Sequence, residues 1–234
     1  MSILSQFLNE LKQFSDPQKA EILSRFFQTG PGQYAEGEKF WGITVPVQRA
    51  LIKKYYDLSL ADLQILMASD IHEQRLSALL ILVYQYQKNI HKQSDIIEFY
   101  LKNTRYYRNW DFVDLSAPQI LGDYCFAQKK AGILQELAVS PEWQERRIAI
   151  VGSFAYIKKK NFDLSLAIAE KLLEDKHVLL HKATGWMLRE IGKRDKSVLE
   201  NFLEKWAGKM PRIMLSYALE KFNEEEKRHY RSQK

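Results

Sequence analysis

The 234-residue sequence predicts an all-α fold of stacked helix pairs, on three observations. Apolar residues recur three and four positions apart, as at Leu76, Leu79, Leu80 and Val83, while alternating strand-like runs are scarce. Ten glycines and six prolines are few for this length, so breaks between helices fall at a small number of legible places. A short phrase, one cation opening an apolar helix, recurs along the chain and, with a further helix around Asp114 counted in the series, gives steps of about 30 to 40 residues, the period of helical-pair repeats.

Composition narrows the classes further. Hydrophobic residues at 46% and charged residues at 27% exclude a disordered, collagenous or disulfide-stapled chain. Lys and Arg number 35 against 29 acids, a formal charge of +6, so the surface field favours a polyanionic partner. The single cysteine, Cys125, can form neither an internal disulfide nor a structural zinc site, and it reads as a buried structural thiol. The cytoplasm is therefore the expected compartment. A membrane role is not expected, because the longest largely apolar run, Leu76 to Tyr84, is about half the ~18 residues of a span.

Taken in order, the segment Met1–Gln6 lacks the basic start and apolar stretch of a signal peptide. Thr29-Gly30-Pro31-Gly32 ends a helix; without a preceding strand or a Lys-Ser ending, it reads as an interhelical loop and not a phosphate loop. Val45-Pro46 marks the next helix boundary, and Arg75-Leu76-Ser77-Ala78 is the first cationic anchor. A helix around Asp114 follows, then a break at Pro141 and a second anchor at Arg147-Ile148-Ala149. Lys182-Ala183-Thr184 and, after Met210-Pro211, Arg212-Ile213-Met214 complete the series. Lys158-Lys159-Lys160 and the tail from Glu224 to Lys234 read as solvated charge runs. His177 and His181 stand four apart, but two ligands are too few for a metal site.

Helix pairs of this size cannot bury their apolar faces alone, so neighbours of the HEAT kind stack into a solenoid with one concave face. The whole chain, 1–234, is expected to form one such domain. Arg75, Arg147, Lys182 and Arg212 at equivalent repeat positions would form a basic row along that face, spaced to follow an extended anion. A cation at a helix N-terminus opposes the macrodipole, which suggests that an external anion compensates. The alternative is simple solvation of helix ends. A peptide-binding solenoid, with tryptophans as anchors, is a further reading of the same repeats.

One segment stands out chemically. Arg105-Tyr106-Tyr107-Arg108-Asn109-Trp110-Asp111-Phe112-Val113-Asp114 packs cations, aromatics and two acids around a helix start. Trp110 and Asp114, four apart, share a helix face, and an aromatic plane beside a carboxylate suits a flat cation. The same residues also read as a core tryptophan followed by a helix that Asp111 caps. Further on, Glu142-Trp143-Gln144-Glu145-Arg146-Arg147 offers paired arginines for phosphate, and Trp186 lies near the cation Lys182 on an amphipathic helix.

Four separated phrases carry a resemblance: Thr29 to Ile43, Asn109-Trp110-Asp111-Phe112-Val113-Asp114, Lys182 to Glu190, and Met210-Pro211-Arg212. In this order they resemble the bacterial AlkD family of DNA alkylation repair proteins, over most of the chain. The resemblance implies a HEAT-like glycosylase that excises positively charged N-alkylated purines, 3-methyladenine and 7-methylguanine, from duplex DNA. It implies no metal or other cofactor, and recognition from the backbone side of the lesion; a groove that admits duplex DNA does not require a partner subunit, so a monomer is expected. Trp110, Asp114 and Trp186 match the family's cleft, and Arg147 its DNA-contacting arginine. Two positions depart from the pattern. Trp143 sits one residue further from the paired arginines, which brings Arg146 into consideration beside Arg147, and Phe26 stands where a cleft tyrosine is common. The superfamily also contains members without excision activity, which bind DNA structure on the same scaffold.

Overall fold

The computed structural model describes residues 2–88 and 93–233, so Met1 and Lys234, at the ends of the two terminal segments read above, lie outside it. The described residues are helical, apart from turns, loops and one isolated parallel bridge between Lys39 and Ile71. The chain divides into two compact units, 1–116 and 117–234.

In the first unit, α1 (Ile3–Gln13) is capped by Ser2 and buries Leu4, Phe7 and Leu11, the three-and-four spacing of an amphipathic helix. Asp16 caps α2 (Pro17–Phe26), accepting from the amides of Gln18 and Lys19, and no residue of α2 is buried. Helix α3 (Val45–Ile52) carries Pro46 in its first turn, where the missing N–H is harmless. A capping box between Ser59 and Asp62 starts α4 (Leu60–Met67). Helices α3 and α4 pack on α5 (His72–Lys88), whose Leu76, Leu79, Leu80, Ile81 and Leu82 are buried, and α6 (Gln93–Lys102) also packs against it. A 3-10 turn, Thr104–Tyr106, leads into the short α7 (Trp110–Asp114).

The start of α5 is fastened to the long loop before α3. The Glu73 carboxylate accepts from the amides of Trp41, Gly42 and Ile43 at 2.9, 2.8 and 3.1 Å. Gly42 has φ of 82°, and a Cβ there would stand 2.1 Å from the Asp16 carbonyl oxygen, so only glycine fits. This clamp presents Glu38 and Phe40 to α5.

In the second unit, a π-turn at Pro118–Gly122 runs into α8 (Asp123–Ala127), where Cys125 is fully buried. It is followed by α9 (Ala131–Leu137), α10 (Trp143–Gly152), α11 (Phe154–Lys158) and α12 (Asp163–Lys171), then α13 (Val178–Gly192), α14 (Lys196–Trp206), α15 (Arg212–Ala218) and α16 (Glu224–Ser232). Three of these pack in series, α10 on α13 and α13 on α15. The last contact is close because residue 185 is glycine: a Cβ there would lie 2.4 Å from the Met214 carbonyl oxygen.

The expected breaks at Gly30–Gly32, Val45-Pro46, Pro141 and Pro211 all fall between helices or at their starts. The placement of the cationic anchors differs from expectation. Arg75 is the fourth residue of α5, and Arg147 and Lys182 are the fifth residues of α10 and α13; of the four, only Arg212 opens its helix. The macrodipole argument therefore applies to Arg212 alone, because the N-terminal partial charge fades within the first turn.

Candidate functional site

In the first unit, a column of stacked rings ends at Trp110. Trp110 stacks on Phe27 with centroids 5.3 Å apart, Phe27 on Phe40 at 5.2 Å, Phe40 on His72 at 4.6 Å, and His72 on Phe112 at 4.6 Å. Phe26, 62% exposed, meets Trp110 edge-on at 6.0 Å. The position read as a departure from the tyrosine pattern therefore lies beside Trp110.

Within this column His72 is bonded at both nitrogens, Nδ1 to Glu38 and Nε2 to Asp111, each at 2.8 Å. Burial alone would lower its pKa, but the charge and hydrogen bond of Asp111, together with Glu38, hold it up to about 9. The imidazolium lies between the faces of Phe40 and Phe112, where ring quadrupoles add to its stabilisation. Arg75 completes the group. It is buried, bonded to Glu38 and the Ser69 carbonyl, and its guanidinium lies 5.3 Å from the Phe112 ring centre. The reading of Arg75 as a phosphate-facing cation is corrected accordingly: an adjacent buried carboxylate draws its side chain inward.

Asp111 does not cap α7. That role belongs to Asn109, whose side chain accepts from the Trp110 amide, while Asp111 is occupied by His72. Trp110 and Asp114 lie one turn apart on α7, both half-buried. Asp114 acts on its surroundings: the Tyr100 phenol is held well above its usual range by burial, with the Asp114 charge adding to it.

In the second unit, the paired arginines of α10 have different environments. Arg146 donates to Asp175 through Nε at 2.6 Å and to the Ser140 and Pro141 carbonyls through Nη1 at 2.8 Å each. Arg147 is buried and donates to the Leu179 carbonyl. Trp143 stacks flat on His177, 4.6 Å between centroids and 10° between planes. His177 also accepts from the Leu179 amide, and His181 bonds the Asp175 carbonyl, so both imidazoles have structural roles. Among the described residues, no group of three or more His, Cys, Asp or Glu is gathered as a metal site.

Lys182 and Trp186 sit one turn apart on α13, with Trp186 half-buried and 6.0 Å from Phe154. Lys182 and Arg212 make no hydrogen bond or ion pair among the described residues. Arg147, Lys182 and Arg212 thus occupy three helices that pack in series, and two of these side chains are uncommitted. The solvated lysine run is as expected: Lys158, Lys159 and Lys160 are exposed, with Lys158 over the Phe154 ring.

Sequence reasoning missed His72, Glu38 and Phe40. The contacts of His72 with Glu38, Phe40 and Asp111 join segments more than 30 residues apart, and no local spacing announces them.

The family model of DNA alkylation repair enzymes matches residues 7–222. Among solved structures, one described as a predicted DNA alkylation repair enzyme from Enterococcus faecalis superposes with a TM-score of 0.71 at 16% identity, covering 90% of this chain and 97% of that one. The protein smu.31 of Streptococcus mutans UA159 gives a TM-score of 0.59 at 18% identity, covering 94% of this chain and 98% of its own. AlkD2 from Streptococcus mutans gives 0.56 at 21% identity, covering 89% and 99%. At these identities the likeness is one of fold. No curated protein matches the sequence. No helix among the described residues is long and apolar enough to cross a membrane.

Proposed function

The chain belongs to the DNA alkylation repair enzyme family, and from that membership we propose that it is a DNA glycosylase hydrolysing the N-glycosidic bond of positively charged N-alkylated purines, 3-methyladenine and 7-methylguanine, in duplex DNA. The observation that carries this reading is the pairing of Trp110 and Asp114 on α7, a half-buried π-surface one turn from a half-buried carboxylate. Alkylation of a ring nitrogen gives the base a positive charge. When the C1′–N bond breaks, its electron pair neutralises the base, positive charge develops on the sugar, and water adds to C1′ with loss of a proton. A carboxylate near C1′ stabilises that developing charge. Asp114 takes this role, Trp110 and Trp186 border the lesion nucleotide, and Lys182 and Arg212 face the phosphates; Arg147, the arginine that the resemblance offered for this contact, is buried against the Leu179 carbonyl and positions the start of α13. Arg146, tied to Asp175, positions the start of α10.

Because the lesion supplies its own charge and lability, neutral lesions are poor substrates. The test is release of free 7-methylguanine and 3-methyladenine from methylated duplex DNA, with chelator present and a uracil-containing duplex alongside. Wild type releases both methylated bases and no uracil; Asp114→Asn loses on the order of a hundredfold in rate, and Trp186→Ala is also impaired. A wild type that binds duplex but releases nothing would make the protein a DNA-structure binder without chemistry.

A further inference from the structure

The second unit contains a cleft between α15 and α16 that no role above accounts for. Its volume is about 260 Å³, and Arg212, Leu215, Ser216 and Arg231 line it. Water occupies about 30 Å³ in the liquid, so a hydrated tetrahedral oxyanion fits with room to spare. The charged residues of the lining are of one sign, two arginines beside a serine and the buried Leu215.

Four arginines elsewhere in the chain are held by carboxylates. Arg75 is bound to Glu38, Arg146 to Asp175, Arg189 to Glu220 and Arg194 to Glu190. Arg212, Arg231 and Ser216, in contrast, make no side-chain hydrogen bond or ion pair among the described residues. Arg231 adds to the positive field that lowers the Glu224 pKa, but Lys227 is the cation that binds that carboxylate, at 2.8 Å. Two arginines lining one cavity without a carboxylate bonded to either repel each other, and a shared anion turns that repulsion into attraction.

We propose that the α15–α16 cleft seats one phosphate of the DNA backbone, held by Arg212 and Arg231 with the Ser216 hydroxyl donating. The inference rests on the DNA reading above for the source of the phosphate, and extends the phosphate contacts of α13 and α15 to the C-terminal helix. It also gives Arg231, in the tail that the sequence presents as a solvated charge run, a specific partner.

The experiment is duplex binding by fluorescence anisotropy across a salt series, for wild type, Arg212→Gln, Arg231→Gln and the double variant, with circular dichroism confirming unchanged helicity. In parallel, ³¹P line broadening of inorganic phosphate reports a free anion in the cleft. One lost phosphate contact lowers the slope of log affinity against log salt by about 0.9, so affinity falls about 5- to 10-fold near 0.1 M salt. The expected result is that loss in the double variant, equal for methylated and unmodified duplexes. If wild type binds duplex steeply but the double variant keeps its slope, the seat is refuted and the DNA reading stands. If the slope is kept while phosphate broadening disappears, the cleft serves a free anion and the DNA assignment of this site is wrong. A wild type that does not bind duplex overturns both together.

Discussion

His72 is a buried imidazole with a cationic role. Its ordinary pKa of 6.5 rises to about 9 in the folded protein because Asp111 and Glu38 outweigh the cost of burial. A raised pKa means that the folded state holds the proton more tightly. The resulting stability is complete below about 6.5 and is lost as pH rises through about 9. The interval corresponds to at most about 3 kcal/mol. We therefore expect wild-type stability to fall between pH 7 and pH 10, and His72→Gln to be flatter over that range. At pH 7 the variant leaves two buried carboxylates without their imidazolium, a loss on the order of 3 kcal/mol; the two curves converge near pH 10. Urea melts at intervals of one pH unit measure this, and parallel wild-type and variant curves would refute it. Trp110 and Asp114 were legible in the sequence because they lie four apart on one short helix. His72 was not, because its partners Glu38, Phe40 and Phe27 precede α3, Asp111 and Phe112 belong to α7, and none comes from its own helix.

At the scale of elements, helix boundaries were the legible part, since Pro46, Pro141 and Pro211 act through a locked φ and a missing donor that need no tertiary context. What the cations do was less legible: the same recurring phrase gives a buried ion pair at Arg75, a buried carbonyl contact at Arg147 and uncommitted side chains at Lys182 and Arg212. The neighbour decides, and Glu38 lies 37 residues from Arg75. The approach of α13 to α15 is similarly set by one missing atom. In Gly185→Ala the new Cβ would meet the Met214 carbonyl oxygen at 2.4 Å and the Tyr217 Cβ at 2.6 Å, neither of which can rotate away. We expect a loss of about 1–3 kcal/mol and a lower melting temperature. Gly152→Ala is the control, because its nearest contact at 3.1 Å is the movable Leu134 Cδ2. Equal effects of the two substitutions would show that the α13–α15 contact tolerates separation.

For the molecule as a whole, charge and periodicity predicted the helical class and the preference for a polyanion, and both follow from averages that survive ignorance of the fold. The division at residue 116 has no such signature, because no glycine- or serine-rich linker marks it. The buried thiol makes unfolding of the second unit chemically readable. Cys125 is the only cysteine, it is fully buried, and burial pushes its thiol up to about 12. Both inaccessibility and a scarce thiolate slow alkylation. In native buffer we expect labelling to wait on opening, with the rate climbing as denaturant is added and Cys125→Ser giving none. Prompt labelling of the folded protein would contradict this burial. The lone sulfur is thus a stopwatch placed by nature in the half of the chain that carries Trp186: set beside loss of helicity, it times that half alone and asks whether the two halves come apart at the same moment.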